Sequence, residues 1–153
     1  MNIKAISRTL LIVIIVVIIA VAGIAGYFLS LMQQAPPKAT LTVYVGHAGG
    51  SGDQSELYWI VTPANQTFKV GDRIKIVLNV NYTDYPKGPH GFAILDPNGN
   101  QIASLATNVG GTTDTVITLN VAGTYKINCL YFCGPWHALN GKMQNVVLLT
   151  ATS

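Results

Sequence analysis

Charge is scarce in this chain of 153 residues: 10% of them are charged and 50% are hydrophobic, where ordinary soluble proteins carry about a quarter charged residues. From Thr9 to Pro37 there is no charged residue at all. Neither sign forms a run, and from Gln33 onward seven basic side chains stand against six acidic ones, a net of +1. Such a surface has no electrostatic footprint for nucleic acid, so no nucleic-acid partner is expected. Cysteine is limited to Cys129 and Cys133, too few for a multiply disulfide-stapled scaffold. Beyond Pro37 no segment sustains a helical hydrophobic period, and no repeat or low-complexity tract occurs there, which leaves a β architecture.

The hydrophobic excess sits at one end. Leu10 to Met32 is nearly all aliphatic, and 23 such residues make roughly 35 Å of helix, enough to cross a hydrocarbon core about 30 Å thick. A cleaved secretory signal has a shorter apolar core and a small-x-small site, which Ser30-Leu-Met-Gln-Gln-Ala does not offer. Lys4 and Arg8 flank the run on one side and only Lys38 follows on the other. The positive-inside rule therefore predicts a single-pass protein of the cell membrane, with residues 1–9 cytoplasmic, 10–32 transmembrane, 33–39 a stiff Pro-containing linker and 40–153 an outer domain.

In the outer domain, strands are expected over Thr40–Val45, Glu56–Val61, Arg73–Val80, Gly91–Leu95, Thr115–Val121, Thr124–Cys129 and Asn145–Ala151, from alternation and β-branched content. Val70-Gly-Asp-Arg73 and Ala122-Gly123 read as turns joining successive strands. Asp96-Pro-Asn-Gly-Asn100 has turn chemistry throughout. Seven or eight short strands at this spacing predict a β-sandwich or barrel.

The chemistry is concentrated in Cys129-Leu-Tyr-Phe-Cys133-Gly-Pro-Trp-His137-Ala-Leu-Asn-Gly-Lys-Met143. It holds both cysteines, one of three histidines and the one methionine outside the N-terminal region. A disulfide across three intervening residues and a pair of inert buried thiols are the plain readings of the cysteines alone. His137, four residues after Cys133, adds an imidazole to two soft sulfur ligands, a set suited to copper, zinc or iron. A further ligand must come from elsewhere, and His90, opening a strand after a Pro-containing loop, is the candidate. His47, in a Gly-rich loop, reads as a solvated residue. Zinc satisfies the ligand count as well as copper does.

Pro89-His90-Gly91-Phe92, Gly123-Thr-Tyr125 and Cys129-x3-Cys133-Gly134-x2-His137, in that order, resemble the cupredoxin domain of subunit II of heme-copper terminal oxidases. The preceding helix is similar to that of the short, single-span type. The resemblance implies an all-β, cupredoxin-like Greek-key sandwich and a dinuclear copper centre of the CuA type. Cys129 and Cys133 would bridge two copper ions, His90 and His137 would each bind one, and the Tyr131 carbonyl would be a further ligand. Two positions depart from the family. Its axial methionine falls where this chain has Asn140, so either Met143 reaches the copper from a remodelled loop, the reading adopted here, or the axial position is Asn140 or empty. Longer subunits often carry glutamate at the position of Tyr131 and hold a second cation there, to which this resemblance does not extend.

The implied function is that of the subunit through which electrons enter a terminal oxidase. It would receive them from a cytochrome c or blue copper protein and pass them to heme in the membrane partner, subunit I, without making or breaking substrate bonds. Trp136, Tyr82 and Tyr85 are candidates for the docking face. The rivals are a free-standing, membrane-anchored cupredoxin shuttle, a thiol-disulfide oxidoreductase using Cys129 and Cys133, and a structural zinc or disulfide site.

Overall fold

The alternation in Arg73-Ile-Lys-Ile-Val-Leu-Asn79 puts Ile74, Ile76 and Leu78 on one face of a strand, and all three are fully buried. The same period of two builds the rest of the β unit. The computed structural model describes residues 8–32, 35–50, 54, 56–81 and 88–153. The chain divides into two compact units, Met1–Pro36 and Pro37–Ser153.

The first unit contains helix α1, Arg8–Met32, of 25 residues. Its described side chains, from Ile12 to Tyr27, are exposed aliphatics for the most part. Among the described residues, no helix is long and apolar enough to cross a membrane. The span expected over residues 10–32 is therefore carried by the sequence and not by the structure; side chains at both ends of that run, and residues 1–7, lie outside the described set.

The described residues of the second unit form nine strands: β1 Ala39–His47, β2 Leu57–Thr62, β3 Thr67–Lys69, β4 Arg73–Asn79, β5 His90–Leu95, β6 Gln101–Thr107, β7 Thr112–Thr118, β8 Gly123–Cys129 and β9 Val146–Thr152. They form two sheets, in the order β2-β1-β4-β7 and β3-β9-β8-β5-β6. Pairs β1/β4 and β3/β9 are parallel and the other pairs antiparallel. Parallel neighbours require the chain to cross between sheets.

That crossing corrects one expectation. Val70-Gly-Asp-Arg73 is not a hairpin turn, because β3 and β4 lie in different sheets; Ala122-Gly123 joins β7 to β8 as expected, but those two strands also lie in different sheets. At the second corner the Tyr125 hydroxyl donates to the Val121 carbonyl (3.0 Å) and accepts from its N–H (3.1 Å), fixing the chain as it changes sheets. Strands β3 and β6 were not expected from the sequence. β3 has three residues, and β6 is an edge strand of largely small and polar residues whose one buried side chain is Leu105.

The core lies between the sheets, with Leu41, Val43, Ile74, Ile76 and Leu78 facing Phe92, Ile94, Tyr125 and Ile127. Trp59 of β2 meets Phe92 of β5 edge to face at 5.3 Å and ties the two layers together. β5 is buried along nearly its whole length. Gly91 explains how β6 approaches it: a Cβ there would lie 2.5 Å from the Leu105 carbonyl oxygen and 2.9 Å from the Ala106 Cβ. Gly91→Ala is expected to force the two strands apart beside His90 and cost about 1–3 kcal/mol, the usual range for overpacking, measured by denaturant unfolding.

Candidate metal centre

β8 delivers Cys129 to the end of its sheet, opposite Phe92 of β5. The Leu130 N–H donates to the Gly91 carbonyl (2.9 Å), which carries the β5/β8 contact one step beyond the ladder. This brings the start of β5, His90, beside the loop that follows Cys129. His90 is fully buried, and among the described residues it is the one polar side chain in the core.

The loop folds back in two tight turns. The His137 N–H donates to the Gly134 carbonyl and the Leu139 N–H to the Trp136 carbonyl, both at 3.0 Å. The Leu139 carbonyl then accepts from the N–H groups of Lys142, Met143 and Gln144, at 3.2, 3.2 and 3.1 Å. Gly141, with φ +74°, supplies the left-handed residue that this turn needs. The Met143 carbonyl accepts from the Cys129 N–H (2.8 Å), so the returning chain closes on the strand it left.

Four of the six expected ligand residues meet directly. The Cys129 and Cys133 sulfurs lie 3.2 Å apart as free thiols, and each lies close to the Tyr131 carbonyl oxygen, at 3.1 and 3.2 Å. The His90 Nδ1 is 3.4 Å from the Cys133 sulfur. His137 joins the two cysteines in a group whose ligand atoms all lie within 4.8 Å of one another. Met143, the sixth, is fully buried in the same core cluster as both cysteines. Asn140 is exposed, and its Oδ1 accepts from Asn145 Nδ2 at 2.8 Å. The turn thus puts methionine inside and asparagine outside.

Two thiols, two imidazoles and a convergent carbonyl form a donor set for a soft or borderline transition metal. The His137 Nδ1 is buried and makes no hydrogen bond of ordinary geometry. A buried imidazole nitrogen without a partner is costly in a purely structural site, and a metal ion would satisfy it. The residues present fit copper.

The thiols share protons unevenly. The Cys129 thiol is pulled down to about 7, chiefly by a hydrogen bond from Cys133, with help from the Tyr131 backbone and from nearby His137, against the opposing effect of burial. Cys133 is pushed up by the same hydrogen bond and by burial. Above pH about 7 the pair therefore holds one proton between two sulfurs. Copper uptake must displace the thiol protons, so apparent affinity should rise with pH, more steeply below pH about 7, where Cys129 is also protonated, than above it. Copper titrations at pH 5.5 to 8.5 check this.

Among the candidate docking residues, Tyr82 and Tyr85 lie outside the described residues, and Trp136 is half-buried. The large exposed apolar side chains on the loop are Leu130, Tyr131, Phe132 and Leu139, with Phe132 at 66%. As a docking face these are not singled out by any motif, although the stretch from Cys129 to Gly141 carries no Asp, Glu, Lys or Arg. Nor is Lys142, whose ammonium lies over two aromatic rings.

No protein-family model matches the sequence, and no curated protein matches it. Solved structures do. The dithionite-reduced auracyanin of the photosynthetic bacterium Roseiflexus castenholzii is 16% identical, with a TM-score of 0.49 over 78% of this chain and 100% of that one. Auracyanin B is 14% identical, with a TM-score of 0.47 over 78% of this chain and 93% of that one. A multicopper oxidase is 12% identical, with a TM-score of 0.52 over 77% of this chain and 45% of that one. At such identity the likeness to the last, whose TM-score exceeds 0.5, shows the fold alone: the β unit is cupredoxin-like.

Proposed function

We propose that this chain is an electron-transfer copper protein, and that its β unit serves as the domain through which electrons enter a heme-copper terminal oxidase. One observation carries the reading: two free thiols 3.2 Å apart converge on the Tyr131 carbonyl, with His90 and the unpartnered Nδ1 of His137 as imidazole donors beside them. In this reading Cys129, Cys133, His90 and His137 would hold the copper, with the Tyr131 carbonyl and Met143 as further donors. Bound copper would supply a one-electron couple. The protein's part is to keep the donors fixed, exclude water with Phe92, Trp59 and the core around Met143, and hold the sulfurs where their charge is shared.

Burial weighs against thiol-disulfide exchange. Cys133 is fully buried and Cys129 is 7% exposed, whereas an exchanging thiol must be reachable by its substrate. The uncharged run of residues 10–32 supports anchoring in the cell membrane with the copper domain outside, where a subunit I partner and a protein donor would meet it. The uncharged rim of Leu130, Tyr131, Phe132 and Leu139 supports docking of a cytochrome c or blue copper protein through an apolar face. Raising salt from low to physiological levels should then change the electron-transfer rate by less than about threefold, and a steep decline would contradict this.

Copper content and co-purification test the assignment. Two copper ions per chain, and retention with a multi-helix heme protein from native membranes, support the oxidase role. Copper without the heme protein favours the free-standing anchored shuttle, which the fold fits equally. Zinc retained in preference to copper would overturn both.

A further inference from the structure

Lys142 is the one charged residue between Lys126 and the end of the chain. It forms neither of the two ion pairs found among the described residues, which use Lys38 and Lys75. Its ammonium instead lies 4.7 Å from the centroid of Trp136 and 5.6 Å from that of Tyr58, while the two rings stand 6.4 Å apart. A cation within about 6 Å of an aromatic centroid is attracted by the ring quadrupole. Trp136 directly precedes His137. Tyr58 belongs to β2, in the other sheet from the strands that carry His90 and Cys129.

The backbone makes the same connection. The Trp59 N–H donates to the Lys142 carbonyl at 2.9 Å, so Lys142 is held to β2 through its main chain and its side chain. The Tyr58 ring is itself seated. Gly46 of β1 stands opposite Tyr58 in the register, and a Cβ on Gly46 would lie 2.6 Å from Tyr58 Cζ and 2.7 Å from Cε2. The ring therefore crosses the bare backbone of its neighbour.

We propose that Lys142 is a positioning residue: with its ammonium over both Trp136 and the seated ring of Tyr58, it clamps the loop of Cys133 and His137 to the opposite sheet and holds the His137 imidazole in place for the metal. Phe132, whose ring centroid is 5.9 Å from that of His137, flanks the same imidazole. The clamp lies outside the donor set, and its relevance to copper rests on the functional reading above.

The test compares Lys142→Gln, Lys142→Arg and Gly46→Ala in the full chain. Two readouts are used: amide hydrogen exchange of residues 134–143 without copper, and the rate of copper release to a chelator after loading. Loss of a surface cation–π contact corresponds to roughly a two- to fivefold change. Lys142→Gln should speed both exchange and release by about that factor, and Lys142→Arg should restore both, because a guanidinium also stacks on aromatic rings. Gly46→Ala, which touches no donor residue, should reproduce the effect by displacing Tyr58. Unchanged exchange and release in Lys142→Gln, or failure of Lys142→Arg to restore them, would overturn the proposal. The exchange readout needs no copper, so a chain that binds none would refute the functional reading while the clamp is still judged on its own.

Discussion

Cys133→Ser is expected to abolish tight copper binding while leaving the β unit folded. Cys133 is fully buried and contacts the Cys129 sulfur, the Tyr131 carbonyl and His90 at once, at 3.2, 3.2 and 3.4 Å. Serine replaces a soft, ionisable donor with a hard hydroxyl that stays protonated. Copper affinity should fall by more than about a hundredfold, since even residues that merely support ligands cost about 10–100-fold when changed. A second effect follows in the metal-free protein. The hydrogen bond from Cys133 is the largest cause of the lowered Cys129 value, so the Cys129 thiol should titrate closer to an ordinary cysteine in the variant. Metal analysis and thiol titration check the two effects, and retention of full copper content would refute the role of Cys133.

The contrast between Met143 and Asn140 is the second large effect. Met143 is fully buried in the core cluster, and truncation of such a side chain to alanine costs about 2–5 kcal/mol. Asn140 is exposed, with its side-chain oxygen in one hydrogen bond to Asn145, and Asn140→Ala should cost about 1 kcal/mol at most. Stability alone does not identify an axial ligand, so Met143→Leu is the informative variant. It nearly conserves volume and should cost less than about 1.5 kcal/mol, yet it removes the thioether. A changed copper reduction potential in Met143→Leu, with Asn140→Ala at the parent value, is the expected result. The reverse pattern would assign the axial position to Asn140.

Much of this site was legible because its ligands are packed into one stretch of chain. Cys129, Cys133 and His137 recur at four-residue intervals, and a single loop can aim such residues at one point. His90 was reachable because it opens a strand that runs beside β8. The strands carrying the core were legible for a similar reason: Ile74, Ile76 and Leu78 alternate strictly, so period and burial coincide. β6 was not, since one buried leucine in an edge strand leaves little apolar signal. The sheet changes at Gly71 and Ala122-Gly123 were also hidden. A glycine turn looks the same whether the next strand pairs with the last or crosses to the other layer, and at the second corner the difference is made by the Tyr125 hydroxyl.

The turn after His137 shows the same limit. Nothing in the order Asn140-Gly-Lys-Met143 reveals which side chain turns inward. The structure places Met143 inside because the Leu139 carbonyl gathers three N–H groups and the Met143 carbonyl takes the Cys129 N–H. The Lys142 clamp was equally hidden, since Tyr58 lies more than eighty residues earlier in the chain.

The central claim is that Cys129 and Cys133 jointly hold two copper ions as one electronic unit. The most direct measurement is the electron paramagnetic resonance spectrum of the copper-loaded full chain, taken with its copper content. A mixed-valence signal whose hyperfine splitting is shared by two equivalent copper nuclei, at two copper ions per chain, is the predicted result. A signal localised on a single copper, or no copper bound at all, would contradict it.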